Sequence, residues 1–149
     1  MAATVEGAIR ELIESTLHTL EALLPLADAE LAVPSDHVCA QGKDVWTLIT
    51  NDIDHEKIHV GQILEGRYEN RVTQTAMARL IAEWLVERAR LVGALVGLDD
   101  AQFNSPTAEG EWTYRQIAKH AFAVEQDSLR SIREGLSMGA SRRGVVAAQ

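Results

Sequence analysis

The sequence predicts an all-α protein, a four-helix bundle of two tandem α-hairpins with long crossover loops, the halves related by a pseudo-twofold axis. Three observations predict it. Apolar residues recur three and four apart over four segments, the spacing that lines one face of a helix. No segment shows the period-two alternation of a half-buried strand. The two long connections between segments also resemble each other.

The first helix is predicted from Val5 to Leu24, with Ile9, Leu12, Ile13, Leu17, Leu20 and Leu24 on one stripe, and Pro25 disfavours its continuation. A second is predicted from Asp44 to Tyr68. Asp44 can accept hydrogen bonds from free N–H groups at its start, and Ile49, Ile53, Val60 and Ile63 form its apolar stripe. The third runs from Thr75 to Val96 through Leu80, Ile81, Trp84, Leu85, Arg88, Leu91, Val92 and Leu95, with Gly97 as its C-terminal cap. The fourth runs from Trp112 to Leu136 through Ile117, Val124, Leu129 and Ile132. Residues 1–136 make the predicted domain, and 137–149, interrupted by Gly and Ser, a flexible tail.

The connections carry a repeat. Asp28-Ala29-Glu30-Leu31 with Pro34-Ser35 recurs as Asp100-Ala101-Gln102-Phe103 with Pro106-Thr107, an offset of 72 residues from Pro34 to Pro106. Each is followed by a Gly and then a Trp-Thr pair: Gly42 before Trp46-Thr47, and Gly110 before Trp112-Thr113. Two such copies would bury their apolar faces against each other.

Composition narrows the partners. A chain of 149 residues suits one domain with one core. A net charge of −8 argues against a nucleic-acid backbone or an anionic membrane as partner, because neutralising phosphates takes clustered Lys and Arg. No apolar run approaches the roughly 18 to 20 residues of a membrane span, and the first residues lack a basic flank followed by an apolar stretch. A cytoplasmic location is the expectation. Cys39 is the single cysteine, so neither an internal disulfide nor a thiolate cluster is available, and any metal must be held by His, Asp or Glu.

The polar run Asp52 to Gln62 sits where a bundle helix should be apolar. His55 and His59, four apart, place two imidazoles one above the other within reach of one ion. Asp52 and Gln62 extend that face and could orient the ring N–H groups. A solvated face with two incidental histidines is the plain alternative. His55-Glu56-Lys57-Ile58-His59 also satisfies the H-E-x-x-H pattern of zinc proteases, with Glu56 as base, but no predicted strand could bind a substrate backbone.

His120 is the third candidate, in the helix that begins at Trp112. Counted from the Trp of each half, it lies eight residues in, against nine and thirteen for His55 and His59. Similar depth makes convergence on one ion plausible; alone, His120 would read as a hydrogen-bonded core residue. Glu125 is a reserve ligand, turned away from His120's face, and Asp127 shares that face two turns on. His18 reads as a bundle-edge residue, His37 and Cys39 as loop residues, and Trp46, Trp84 and Trp112 as packing residues.

At these residues the chain resembles the DinB-like superfamily of metal-binding four-helix bundles. Trp112 to His120 is similar to the family's W-[ST]-x-x-x-[IVL]-x-x-H segment, and His55 to Gln62 to its H-E-x-x-H-x-G-Q segment. The family usually carries the single-histidine segment in its first half; here the order is reversed. The resemblance implies a three-histidine site of His55, His59 and His120, zinc or nickel as the ion, and often a homodimer. It also implies chemistry of the kind done by thiol-dependent S-transferases and a mycothiol-dependent isomerase. Three neutral imidazoles leave the ion's charge uncompensated, which favours a water of lowered pKa or a thiolate in the fourth position.

The expected function is thus a metal-dependent enzyme, transferase, isomerase or hydrolase-like, that activates water or a low-molecular-weight thiol against a small-molecule substrate. Zinc or nickel leads as the ion, with iron behind, since imidazole sites accept several first-row metals. Glu56, Glu125 and Asp52 are the candidates for proton handling. The alternatives are a non-catalytic metal-binding or stress-response bundle, a dimeric interaction module, and a bundle without metal.

Overall fold

A computed structural model describes residues 4–146, with side-chain surroundings through residue 137. The chain is all-α, and among the described residues there is no strand, only two isolated bridges. No helix among them is long and apolar enough to cross a membrane. Two compact units divide the chain, Met1–Glu83 and Trp84–Gln149, with the division inside the third long helix.

In the first unit, α1 spans Val5–Leu23. Thr4 caps it, its hydroxyl accepting from the Gly7 N–H at 3.0 Å. Helical bonding stops at Leu24, whose N–H reaches the Leu20 carbonyl, just before Pro25. The predicted stripe lies on this helix, but none of it is buried: Leu12 is 64% exposed and Leu17 58%.

The connection to α2 (Val45–Glu69) is ordered by its own hydrogen bonds. A 3-10 turn covers Asp28–Ala32, with the Ala27 N–H donating to the Glu30 carboxylate at 2.7 Å. The chain then pairs briefly with itself, Ser35 N–H to the Lys43 carbonyl and Val45 N–H to the Val33 carbonyl. A second turn, Val38–Ala40, fills the excursion between them, and Gln41 (φ 54°) and Gly42 (φ 72°) reverse it through left-handed backbone. Ala40 is the one fully buried hydrophobic residue among the described residues. The Asn51 side chain of α2 reaches out to the Cys39 carbonyl at 2.5 Å. Loop and helix are thus fastened together beside the buried Ala40.

The α2 helix ends at Asn70 and Arg71. The Val72 N–H bonds the Arg67 carbonyl and the Arg71 N–H that of Tyr68, the paired closure of a Schellman motif. Arg71, at φ 51°, fills the left-handed position that glycine usually takes.

Helix α3 spans Ala76–Gly93, started by the Thr75 hydroxyl accepting from the Ala78 N–H. It stops short of the predicted Val96, and further turns lead to Gly97, whose φ of 87° suits the predicted cap. In the second unit a short helix, α4 (Asp100–Phe103), occupies what the sequence reads as loop. Asp99 and Gln102 cap it reciprocally, the Gln102 N–H donating to the Asp99 carboxylate and the Asp99 N–H to the Gln102 side chain. The chain again pairs with itself, Thr107 N–H to the Trp112 carbonyl and Tyr114 N–H to that of Ser105, and Gly110 (φ 77°) makes the reversal.

Helix α5 spans Tyr114–Val146, opening two residues after the predicted start at Trp112 and running on past Leu136. The reason at the start is chemical. Thr113 and Gln116 form the capping box, and the indole of Trp112 offers no acceptor for free N–H groups. Residues 147–149 of the predicted tail lie outside the described residues.

Candidate functional site

Helix α2 carries the paired histidines. Asp44 fixes where that helix starts, accepting from the Thr47 N–H at 2.9 Å and its hydroxyl at 2.8 Å. Those two bonds, the backbone one first, hold the Asp44 carboxyl below its ordinary pKa of 3.8. Eleven and fifteen residues on from this cap come His55 and His59. Their rings lie 4.4 Å apart between centroids, tilted by 42°, as the four-residue spacing predicts. Gln62 Oε1 stands 2.9 Å from His59 Nδ1. In the tautomer that protonates Nδ1, the ring donates to this amide oxygen and Nε2 keeps its lone pair for an ion.

Around the pair the carboxylates are uneven in what they can do. Asp54 is tied to Lys57 at 2.9 Å, whereas Asp52 and Glu56 stand exposed on the same helix.

His120 belongs to the second unit, on α5, seven residues past its cap Thr113. Trp112, just before the helix, turns back so that its indole meets the His120 ring edge-on, 4.9 Å between centroids. Glu125 does not stand free beside it. Arg88 of α3 donates through Nη2 to the Glu125 carboxylate, and the same guanidinium lies 5.4 Å over the Trp84 ring. Asp127 is taken by Arg130 on its own helix. The remaining histidines lie on other elements. His37 Nδ1 accepts from the Cys39 N–H at 3.2 Å, Cys39 is a half-exposed free thiol, and His18 is exposed on α1.

Among the described residues, no group of three or more His, Cys, Asp or Glu side chains is placed to hold a metal ion. What stands together is His55 with His59, in one unit; what stands separately is His120 with Trp112, in the other.

The depth count also changes. From Ala27–Glu30 to Asp99–Gln102, and from Pro34 to Pro106, the two connections correspond at 72 residues. Past the excursion that Ala40 anchors, the caps Asp44 and Thr113 correspond at 69, because the first connection is three residues longer. Trp46 is therefore inside α2, whereas Trp112 precedes α5, and the two Trp-Thr pairs are not equivalent. Counted from the caps, the residue that matches His120 is Asn51, not His55. Two side-chain contacts escaped the sequence reading: Asn51, which docks the loop, and Arg88 as the partner of Glu125. Arg88 interrupts an otherwise apolar stripe, and that charge was the available signal.

No family model matches the chain, and no curated protein or solved structure matches it either.

Proposed function

We propose that this protein is a DinB-like metal-binding bundle in which His55, His59 and His120 hold one divalent ion, zinc or nickel before iron. The observation that carries the reading is the His55–His59 ring pair, with Gln62 Oε1 within hydrogen-bond distance of His59 Nδ1. Two imidazoles at this separation suit adjacent positions of a tetrahedral or wider coordination shell, and a third neutral donor completes the set without charge crowding. Closure into a four-helix bundle belongs to the same proposal. It would cover the exposed stripes of α1 and α3, among them Leu12, Leu17, Leu80 and Ile81.

When bound, the ion would supply Lewis acidity and a water or thiol of lowered pKa. The chain's own contributions are narrower. Gln62 orients His59, Trp112 sets the tilt of the His120 ring, and Glu56 or Asp52 takes the proton released from an incoming thiol or water. The substrate is a small electrophile, and the working unit is a cytoplasmic homodimer. The reading with no catalysis is favoured by one observation, that Glu125 is committed to Arg88 and cannot act as a base.

The test is elemental analysis of untagged protein beside His59→Ala, at matched concentration. Near one equivalent of zinc, nickel or iron in the parent and little in the variant is expected, and a thiol-transfer screen follows. No metal in either, with melting unmoved by added zinc or nickel, would remove the metal and leave a helical protein of another role.

A further inference from the structure

The connection between α1 and α2 is fastened through one residue, Cys39, whose backbone is held at both ends. Its carbonyl accepts from the Asn51 side chain at 2.5 Å, and its N–H donates to His37 Nδ1 at 3.2 Å. The second bond depends on the state of the ring. A backbone N–H can only donate, so Nδ1 must be without a proton and the imidazole neutral, with its hydrogen on Nε2. His37 is held in place for this by its own N–H, which donates to the Ser35 hydroxyl at 3.3 Å. From His37 the turn Val38–Ala40 follows, closed by the Ala40 N–H on the His37 carbonyl at 2.9 Å and ending at the buried Ala40. The ring thus caps the one turn that carries both the buried residue and the Asn51 latch.

We propose that residues 35–44 form a pH-sensitive strap, fastened to α2 while His37 is neutral and loosened when its ring gains a second proton. An imidazolium has two N–H groups and no acceptor, so protonation sets a donor against the Cys39 N–H and removes the cap. Histidine is the side chain whose ordinary titration falls between about pH 5 and 8, so the change belongs to mildly acid solution. The direction follows from the bond: the strap is held above the titration of His37 and released as pH falls through it. Release frees the Asn51 amide. Asn51 precedes His55 by four residues and His59 by eight, so the strap is latched at the head of the helix face that carries the histidine pair. The device stands whether or not that pair binds an ion.

Other charged groups near the strap do not perform this switch. Asp36 is the chain neighbour of His37, and Lys43 and Asp44 stand where the strap closes. Asp28 and Glu30 lie on the preceding turn, the Glu30 carboxylate accepting from the Ala27 N–H, and Asp52 and His55 lie on α2. None forms an ion pair with His37 among the described residues. Asp44, held below its ordinary pKa by Thr47, stays ionised throughout the histidine range. His55 is the one other group here that titrates in that range, and the experiment must separate it from His37. The connection before α5 has the same bridge at a proline but no histidine, and supplies the control.

The experiment uses the full chain, with amide exchange and histidine ring resonances followed by NMR from about pH 8 to pH 5. Exchange is expressed relative to the intrinsic rate at each pH. Protection of the Cys39, Ala40 and Gln41 amides should fall by about threefold or more across that range, the size expected for losing a cap. Its midpoint should be that of the His37 ring, while the amides of residues 105–114 stay level. His37→Asn supplies an acceptor at every pH, and should keep the protection level throughout. Unchanged protection while His37 titrates would overturn the strap, as would a fall in His37→Asn with the parent's midpoint. If His37→Asn lacks the turn at every pH, the parent's midpoints decide: agreement with the His37 ring keeps the proposal, and agreement with the His55 ring, or with neither, ends it.

Discussion

The connections entering α2 and α5 follow one hydrogen-bond plan and are anchored differently. Each begins with a turn whose first N–H is held by a side chain three residues on, and each pairs briefly with itself at a proline before capping a helix. The first then makes a longer excursion, with Ala40 sealed from water and Asn51 holding the Cys39 carbonyl. The second closes at Gly110 and is tied from its other side, Arg115 of α5 reaching the Asn104 side chain. One connection is held from within by a buried methyl and an amide, the other by an exposed guanidinium. The shared plan positions the helix starts, and the unshared anchors decide what depends on them.

The largest expected effect therefore falls on the first connection. Ala40→Leu must push extra methylenes into a space already closed to water, and should cost about 1–3 kcal/mol in urea unfolding. The corresponding reversal at Gly110 has no sealed methyl, so a substitution beside it, Glu109→Ala, should leave unfolding within about 0.5 kcal/mol of the parent. Next comes Asn51→Ala. Removing the amide leaves the Cys39 carbonyl without its partner, at about 1–2 kcal/mol, and should speed amide exchange through residues 36–41 while α5 is unaffected.

Smaller again is Thr113→Ala, which deletes one half of the α5 capping box. About 1 kcal/mol is expected, read as a lowered urea midpoint with an unchanged slope. The equivalent cap, Asp44, separates the two helix starts by pH. Its folded pKa lies below 3.8, so the stabilisation is fully present above that value and is lost as pH falls through the lowered one. An acid titration followed by exchange at the start of α2 should show loosening that the neutral Thr113 cap does not share. Asp44→Asn should abolish the difference while changing little at neutral pH. Equal acid sensitivity at both starts would contradict the assignment.

The sequence carried much of this and missed specific parts of it. The helices α1, α2 and α3 were legible because apolar spacing marks their faces and Asp44 marks the start of α2. The repeated connection was legible too, as far as its prolines. Its register beyond them was not, because Trp-Thr is a conspicuous pair of letters, whereas a helix start is fixed by whichever residue can accept free N–H groups. That residue is Asp44, two before Trp46, in one half and Thr113, one after Trp112, in the other. The His55–His59 contact followed from spacing alone. The binding of Glu125 by Arg88 did not, since a pairing across 37 residues leaves no periodic trace. For the same reason the meeting of His120 with the other two histidines stands as a proposal, resting on chemistry and resemblance.

That meeting is the central claim, and cobalt titration of the parent and of His120→Ala tests it most directly. A tetrahedral visible spectrum at one equivalent in the parent, lost with binding weakened at least a hundredfold in His120→Ala, is the predicted result. Equal binding by both proteins would mean that His55 and His59 chelate metal as an exposed pair on one helix, and would contradict the three-histidine site.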